Sequence, residues 1–257
     1  MSDAGNRGRF VWYDLMTPDP KKAEPFYTKV IGWGTQEMEG MPYTMWVANG
    51  TPIGGVTQLN AASGAPPHWL AYVEVPDVDA TIKQIESLGG TAIVKPTDIP
   101  TVGRFAVFAD PAGAVLALFA PVPSASGTAG DEKNPKVGEF SWHELLTLDY
   151  KQALDFYRAI FGWEMLQEHD MGPMGVYLIY GRHGIQLGGM FNKTADMPMP
   201  PHFLHYIRVD NADRVADAVK SNGGTVLNGP MDVPGGDRIA QCMDPQGAAF
   251  AIHAKKA

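Results

Sequence analysis

The chain repeats itself, and this duplication restricts its fold more than any other feature. Residues 8–33 align without a gap with residues 138–163, and the 26 aligned positions share 12 identities. Residues 66–93 and 200–227 form a second pair of 28-residue segments with 11 identities. A sequence that recurs over such lengths is expected to form the same supersecondary unit each time. We therefore expect two similar domains.

The spacing of the copies predicts where the domains begin and end. Trp12 aligns with Trp142 and His68 aligns with His202, so the second copy contains four extra residues between Trp163 and the second of these histidines. The stretch PVPSASGTAGDEKNPK, rich in Pro, Ser and Gly, lies between the copies and is typical of a linker. We predict a first domain over residues 8–121, a linker over 122–137 and a second domain over 138–254.

Each copy divides again into two modules of one pattern. FVWYDLMT, with its aromatic residues and Val, predicts a strand. A helix follows, because Asp19 is a suitable N-cap, Pro20 is favoured at the first helical position and Gly32 ends the apolar periodicity. Short strands come next, and LAYVEV then starts the same order again. The pattern of strand, helix and three strands occurs four times, which predicts an α+β fold.

Composition excludes several classes of protein. A formal net charge of -8 disfavours nucleic acid or an anionic membrane as a partner. The single cysteine, Cys242, excludes an internal disulfide and a cysteine-based zinc cluster. The N-terminus lacks the apolar core of a signal peptide, and no run approaches 18 apolar residues. We expect a cytoplasmic protein, monomeric or homodimeric, with a small organic molecule as its partner.

The chain resembles the vicinal oxygen chelate superfamily in three features. These are the order of the modules, the helix ends FYTKVIGW and FYRAIFGW, and the turns DPAG and DPQG. That superfamily includes glyoxalase I, bleomycin-resistance proteins and extradiol dioxygenases. The two-copy layout is most similar to its two-domain bacterial, hydroxylase-like members, which include a mycobacterial antigen. The resemblance implies tandem glyoxalase-like domains, whose four βαβββ units form two cup-shaped, partly closed barrels, each with a ligand cleft.

The resemblance also implies where a metal would bind. In metal-dependent members, the ligands come from the first and last strands of the modules, and a mononuclear site needs about three His or carboxylate side chains. None of the six corresponding side chains in this chain is a metal ligand. They are Trp12, Leu70, Ala117, Trp142, Leu204 and Ala251. We therefore predict no metal and no other cofactor.

The cleft side of each strand is the side that carries the family's metal positions, and residues two apart on a strand face the same side. The residues that this rule places in the predicted clefts are matched between the copies. Asp14 and Glu144, each beside a tryptophan, are the candidate catalytic residues. The candidate ligand-binding residues are Trp12, Tyr72, Arg104, Trp142, His202, Tyr206 and Arg238. Structural alternatives stay open for each type: core packing for the tryptophans, Arg-paired rim positions for the carboxylates, strand-start hydrogen bonds for the histidines and salt bridges for the arginines. Three loops rich in Met and Pro, including EMEGMPY and EMLQEHDMGPMGVY, suit a variable apolar ligand.

The function that these features favour is binding of a planar or apolar organic compound, which the protein sequesters or modestly transforms without a metal. Any reaction would be of lyase, isomerase or hydroxylase-like type, and the sequence leaves open whether there is one. One alternative is a metal-dependent enzyme of glyoxalase or dioxygenase type with a rearranged site around Glu144, His202 and His253. The other is a non-catalytic protein that binds a partner. Metal analysis and a ligand screen would separate the three.

Overall fold

The structure, a computed structural model, describes residues 4–38, 40, 42–122 and 130–256. Four modules follow one another in the predicted order. The first two consist of β1 Phe10–Thr17, α1 Pro20–Val30, β2 Gly34–Glu37, β3 Thr44–Ala48 and β4 Thr51–Gln58, then β5 His68–Glu74, α2 Val78–Ser87, β6 Thr91–Ile99, β7 Gly103–Ala109 and β8 Val115–Pro121. The last two consist of β9 Phe140–Thr147, α3 Tyr150–Phe161, β10 Glu164–Asp170, β11 Val176–Arg182 and β12 Ile185–Asn192, then β13 His202–Arg208, α4 Ala212–Ser221, β14 Thr225–Asp232, β15 Arg238–Met243 and β16 Ala249–Ala254.

The strands form two mixed sheets of eight. The first has the order β2-β3-β4-β1-β5-β8-β7-β6, and the second has the equivalent order β10-β11-β12-β9-β13-β16-β15-β14. In each module the first strand pairs in parallel with the last, and the remaining pairs are antiparallel. Neither sheet closes on itself among the described residues, as expected for partly closed cups. The tandem glyoxalase-like α+β fold is confirmed.

The first helix begins where the sequence predicts. The Asp19 side chain accepts a hydrogen bond from the Lys22 amide, and Pro20 is the first residue of α1. Pro25 lies inside α1 without ending it, and its buried neighbours Phe26 and Tyr27 face the core. The predicted four-residue insertion lengthens the first hairpin of the third module, where β10 has seven residues and β2 has four.

Contacts divide the chain into two compact units that differ from the sequence copies. The first unit comprises the described residues of Met1–Val11, Ala71–Lys133 and Trp142–Phe203, which are essentially the second and third modules. The second unit comprises the described residues of Trp12–Leu70, Asn134–Ser141 and Leu204–Ala257, which are essentially the first and fourth modules. Packing therefore unites modules that are not all neighbours in sequence.

A buried tyrosine–aspartate hydrogen bond stabilises each unit. In the first unit, the Tyr157 hydroxyl of α3 donates to Asp110 Oδ2 at 2.9 Å. In the second unit, the Tyr27 hydroxyl of α1 donates to Asp244 Oδ2 at 3.1 Å. Both aspartates begin the predicted DPxG turns. Their Oδ1 atoms accept two backbone amides each, at 2.8–2.9 Å. The turn motif thus fixes a helix of another module.

Part of the predicted linker packs within the first unit, although its residues 123–129 lie outside the described part of the chain. Arg182 Nε donates to Glu132 at 3.0 Å, and both side chains are nearly buried, with exposures of 7% and 12%. The same guanidinium donates to the carbonyl groups of Gly5 and Arg7 through Nη1. Arg182 therefore ties the N-terminal segment and residue 132 to β11.

His143 and His205 are buried among aromatic rings. The His143 ring lies 3.8 Å from the Phe10 ring in the first unit, measured between centroids. His205, only 2% exposed, meets the Tyr13 and Phe140 rings edge-on in the second unit. Both rings therefore contribute to the aromatic packing of their units. Within the described residues, no helix has the length and apolar character required to cross a membrane.

Candidate functional site

In the second unit, Trp12, Tyr43 and Asp14 form a hydrogen-bonded set. The Trp12 indole N–H lies 2.7 Å from the Tyr43 hydroxyl oxygen and 3.0 Å from Asp14 Oδ1. The Tyr43 hydroxyl in turn donates to Asp14 Oδ1 at 2.5 Å. Trp12 and Asp14 are two apart on β1 and lie on one face, as alternation predicts. Asp14 is buried, whereas the two aromatic side chains are half-buried.

The first unit contains an equivalent set built from Trp142, Tyr177 and Glu144. The Trp142 indole N–H donates to the Tyr177 hydroxyl at 2.9 Å, and that hydroxyl donates to Glu144 Oε2 at 2.9 Å. All three side chains are half-buried. The longer Glu replaces Asp, yet the indole, phenol and carboxylate keep the same order. Each tryptophan–carboxylate pair predicted from sequence is therefore bridged by a tyrosine.

Both tyrosines depend on a glycine in the neighbouring strand. A Cβ atom on Gly55 would lie 2.0 Å from the Tyr43 hydroxyl oxygen, and one on Gly189 would lie 2.1 Å from the Tyr177 hydroxyl oxygen. Since real Cβ atoms do not approach so closely, each position requires a glycine if the tyrosine is to reach its carboxylate. The glycine pairs of β4 and β12 thus make room for a side chain.

The two tyrosines were missed from the sequence, although a signal was present. Tyr43 and Tyr177 occupy matched positions in the two copies, in the same alignment that pairs His68 with His202, and each ends one of the Met-rich loops. Only an alignment of the C-terminal ends of the two loops would have found these tyrosines, since the loops themselves differ in length and composition. Glu39 and Met41 of the first loop lie outside the described residues.

Tyr72 and Tyr206, predicted to bind ligand, are both largely buried. Tyr72 packs near Phe105 of its own module, with ring centroids 6.3 Å apart. The Tyr206 hydroxyl accepts a hydrogen bond from Gln241 Nε2 at 3.2 Å. Tyr72 lies on β5 and Tyr206 lies on β13, and both have partners within their own modules. Ligand binding by these tyrosines stays a prediction.

Arg104 and Arg238 each form salt bridges with two aspartates of their own module. Arg104 donates through Nε and Nη2 to Asp79 of α2, at 2.6 and 2.9 Å, and through Nη1 to Asp98 of β6 at 2.7 Å. Arg238 makes the same three contacts with Asp213 and Asp232, at 2.6–2.9 Å. The pKa of each arginine is raised by these aspartates. The salt-bridge alternative is therefore the arrangement observed, and ligand binding by these arginines stays a prediction.

The histidines considered for ligand or metal binding have local partners. Nδ1 of His202 lies 2.8 Å from the Pro200 carbonyl, and His68 makes the equivalent 2.7 Å contact with Pro66. These are hydrogen bonds at strand starts, the alternative considered from the sequence. His253 instead contacts Ser141 and Asp237. Across the described ranges, no three His, Cys, Asp or Glu side chains are grouped so that they could hold one ion.

A shallow cleft of about 200 Å³ lies elsewhere in the second unit. It is lined by the end of α1 at residues 29–32, by Val137 and by residues 209–215 around the start of α4. It contains none of the candidate site residues. The candidate site consequently rests on the two tryptophan–tyrosine–carboxylate sets and not on this cleft.

Comparison with known proteins gives one family match and full-length relatives. The model of the Glyoxalase/Bleomycin resistance protein/Dioxygenase superfamily matches residues 9–118 and 140–252. The chain is 32% identical over 248 residues to CFP32 of Mycobacterium tuberculosis, whose glyoxylase name is provisional, and the match covers 94% of this chain and 92% of that protein. It is also 32% identical over 263 residues to the anthracycline biosynthesis protein DauV of Streptomyces sp. strain C5, a match that covers 95% and 92% of the two chains.

Solved structures show the same fold at low sequence identity. The 2,3-dioxygenase LapB from Pseudomonas sp. KL28 superposes with a TM-score of 0.68 at 12% identity, covering 98% of this chain and 94% of that one. The Mn(II)-bound glyoxalase from Novosphingobium aromaticivorans superposes with a TM-score of 0.65 at 17% identity, covering 97% and 82%. Identities this low support a common fold and leave the activity to be argued from the site.

Proposed function

The chain belongs to the Glyoxalase/Bleomycin resistance protein/Dioxygenase superfamily, and from this premise we propose that it binds a flat organic compound without the metal of its enzymatic relatives. The proposed sites are the Trp12–Tyr43–Asp14 set and the Trp142–Tyr177–Glu144 set. The ligand is held by stacking and burial on the aromatic groups and by polar contact with the tyrosine–carboxylate end. Any chemistry there would be acid–base chemistry by Asp14 or Glu144.

The observation that carries this proposal is the retention of a whole hydrogen-bonded set in both units. Packing alone would tolerate Leu or Phe in place of a half-buried Trp, and it gives no reason to keep a carboxylate two residues away. The glycine opposite each tyrosine is kept as well, at Gly55 and Gly189. An aromatic surface that ends in a fixed polar group suits a compound with an apolar body and a polar edge.

The residues present do not fit the metal of the family. The family positions on the first strands are occupied by Trp12 and Trp142. Of the carboxylates that follow them, Asp14 accepts from both Tyr43 and Trp12, and Glu144 accepts from Tyr177. Carboxylates and imidazoles are the side chains that would bind such a metal. The described residues offer no cluster of three of them, so we derive no metal-dependent step.

The relatives indicate which compounds to test first. One of them is by name an anthracycline biosynthesis protein, and anthracyclines have a flat aromatic body with polar substituents. An anthracycline therefore matches the chemistry of the proposed site, and a set of smaller aromatic acids and phenols extends the test. We assign the class of ligand and not its identity.

The test is a titration of the purified protein with an anthracycline and with a panel of flat aromatic compounds. Binding is followed by quenching of Trp fluorescence and by thermal shift. We expect Tyr177→Phe, which removes the bridging hydroxyl, to weaken binding about tenfold or more. Tyr43→Phe makes the matched change in the other unit and shows whether both sets bind. Unchanged binding in both variants would contradict the proposal.

The same experiments address the two alternatives. A metal-dependent enzyme would contain about one transition metal per chain and would lose activity on chelation. A protein that only binds a protein partner would respond to no compound in the panel. No contact in the described residues favours either alternative over ligand binding.

A further inference from the structure

Three polar side chains of the second unit form a separate hydrogen-bonded chain. The Ser141 hydroxyl lies 2.9 Å from His253 Nδ1, and His253 Nε2 lies 2.8 Å from Asp237 Oδ2. Ser141 is half-buried, the His253 side chain is 15% exposed and Asp237 is 34% exposed. The group is thus sheltered and still open to a small molecule.

The protons of this chain can be placed by elimination. Partial burial alone would raise the pKa of Asp237, but hydrogen bonds from His253 and the Lys256 amide lower it overall, so this carboxyl is ionised near neutral pH. An ionised carboxylate only accepts, which puts the imidazole proton on Nε2. In the neutral form of the ring Nδ1 would then be an acceptor, and the Ser141 hydroxyl, 2.9 Å away, is positioned to donate to it. The weaker alternative acceptor for that hydroxyl is the Tyr206 carbonyl, at 3.4 Å.

We propose that Ser141, His253 and Asp237 form a nucleophilic serine site that takes the acyl group of a small aryl ester. The arrangement has the three parts that such a site requires: a hydroxyl, a base within hydrogen-bond distance and a carboxylate that orients the base. The site is separate from the proposed ligand sites, and its failure would leave those proposals standing.

The reaction balances with groups that the chain supplies and water. Ser141 Oγ bonds to the ester carbonyl carbon while its proton passes to His253 Nδ1. The carbon–oxygen bond to the aryl group breaks, and the departing phenolate takes the proton from the imidazolium, which Asp237 stabilises. Water then attacks the acyl-serine with His253 again as base. Ser141 recovers its proton, and a carboxylic acid is released.

Arg208 adds a positive charge beside this chain. Arg208 pairs with His253 in the parallel register of β13 and β16, so both side chains lie on one face of the sheet. Its Nε is buried and has no hydrogen-bond partner in the described part of the chain. A buried unpaired donor is costly. The positive charge of Arg208, on the same face as His253, would favour the negative charge that develops on the ester oxygen.

The other copy of the sequence lacks every part of the site. The positions equivalent to Ser141, Asp237 and His253 are Val11, Gly103 and Phe119, and the position equivalent to Arg208 is Glu74. The copies therefore differ at all four positions, and only the second has a hydroxyl, a carboxylate, an imidazole and a guanidinium there. Independent surface drift gives no reason for these four groups to meet in one unit.

The test is reaction of the intact protein with a fluorophosphonate, followed by mass spectrometry of its peptides. We expect one adduct per chain, on Ser141, and slow hydrolysis of p-nitrophenyl acetate. Ser141→Ala should abolish both, whereas Ser87→Ala, which changes an exposed serine at the end of α2, should leave both unchanged. A folded wild-type chain that carries no adduct on Ser141 would overturn the proposal, and this result does not depend on any variant.

A second variant separates a catalytic arrangement from a structural one. Asp237→Asn keeps an oxygen for the Lys256 amide but presents an amide N–H to His253 Nε2. The imidazole proton then moves to Nδ1, which can no longer accept the serine proton. We expect labelling to slow by about tenfold or more, with the thermal midpoint nearly unchanged. Labelling at the wild-type rate would show that the triad does not activate Ser141.

Discussion

Removing the hydroxyl of Tyr157 should destabilise the first unit by an amount that depends on pH. In Tyr157→Phe, Asp110 Oδ2 loses its 2.9 Å hydrogen bond while Oδ1 keeps its two backbone amides. A hydrogen bond to a charged group contributes about 1.5–3 kcal/mol. We therefore expect the free energy of unfolding to fall by about 2 kcal/mol near neutral pH.

The pH dependence follows from the state of Asp110. Burial raises the pKa of this carboxyl above its ordinary value of 3.8, against the lowering effect of its hydrogen bonds, including that from Tyr157. Because the folded-state pKa of Asp110 is raised, the contribution of this carboxyl to the free energy of unfolding is fully present below the unfolded-state pKa. It is lost as pH rises through the folded-state pKa. Tyr157→Phe raises that pKa further. The cost of the substitution should therefore be largest where Asp110 is ionised and smaller at about pH 4.

Tyr27→Phe is the matched change in the second unit. The Tyr27 hydroxyl donates to Asp244 at 3.1 Å and also accepts from the Trp69 indole N–H at 3.1 Å. Its loss removes the partner of Asp244 Oδ2 and of the Trp69 indole N–H. We therefore expect the free energy of unfolding to fall by about 3 kcal/mol, more than for Tyr157→Phe.

The assay for both tyrosine variants is urea unfolding followed by Trp fluorescence, at about pH 7.5 and about pH 4. Losses below about 0.5 kcal/mol, or losses that do not change with pH, would refute this account of the two pairs.

Four further results are expected. Trp142→Ala or Glu144→Gln should abolish anthracycline binding at the Trp142–Tyr177–Glu144 set and leave any binding at the Trp12–Tyr43–Asp14 set, with cooperative unfolding retained; a variant unfolded at ambient temperature would instead mark these residues as core. Elemental analysis of the purified protein should find far less than one transition metal per chain, and a stoichiometric metal lost together with activity would contradict this. Glu132→Gln should lower the free energy of unfolding by about 3 kcal/mol, because it removes the only negative charge paired with buried Arg182 among the described residues and leaves it two carbonyl acceptors; a change within about 0.5 kcal/mol would show the ion pair to be dispensable. Cys242 should resist maleimide in the folded protein at about pH 8, since burial raises the pKa of its thiol to about 12; rapid labelling would show that β15 opens.

The sequence by itself determined the elements and part of the candidate site. Duplication and periodicity predicted four modules, because the apolar spacing of a strand or helix and its caps are local properties of consecutive residues. Asp19 and Pro20 predicted the start of α1 for this reason. The same strand alternation placed Asp14 beside Trp12, two residues away.

Only the tertiary structure decided which distant residues meet. Tyr27 reaches Asp244 across 217 positions, so α1 packs with the fourth module, which is the most distant from it in the chain. Tyr43 lies 29 residues from Asp14, and His253 lies 112 residues from Ser141. No local pattern encodes such pairs, because they depend on how the strands order in a sheet and on which glycine leaves room for a ring. The repeat therefore specified the modules. The tertiary structure then brought the site residues together, within one module for each tyrosine–carboxylate set and between two modules for the serine site.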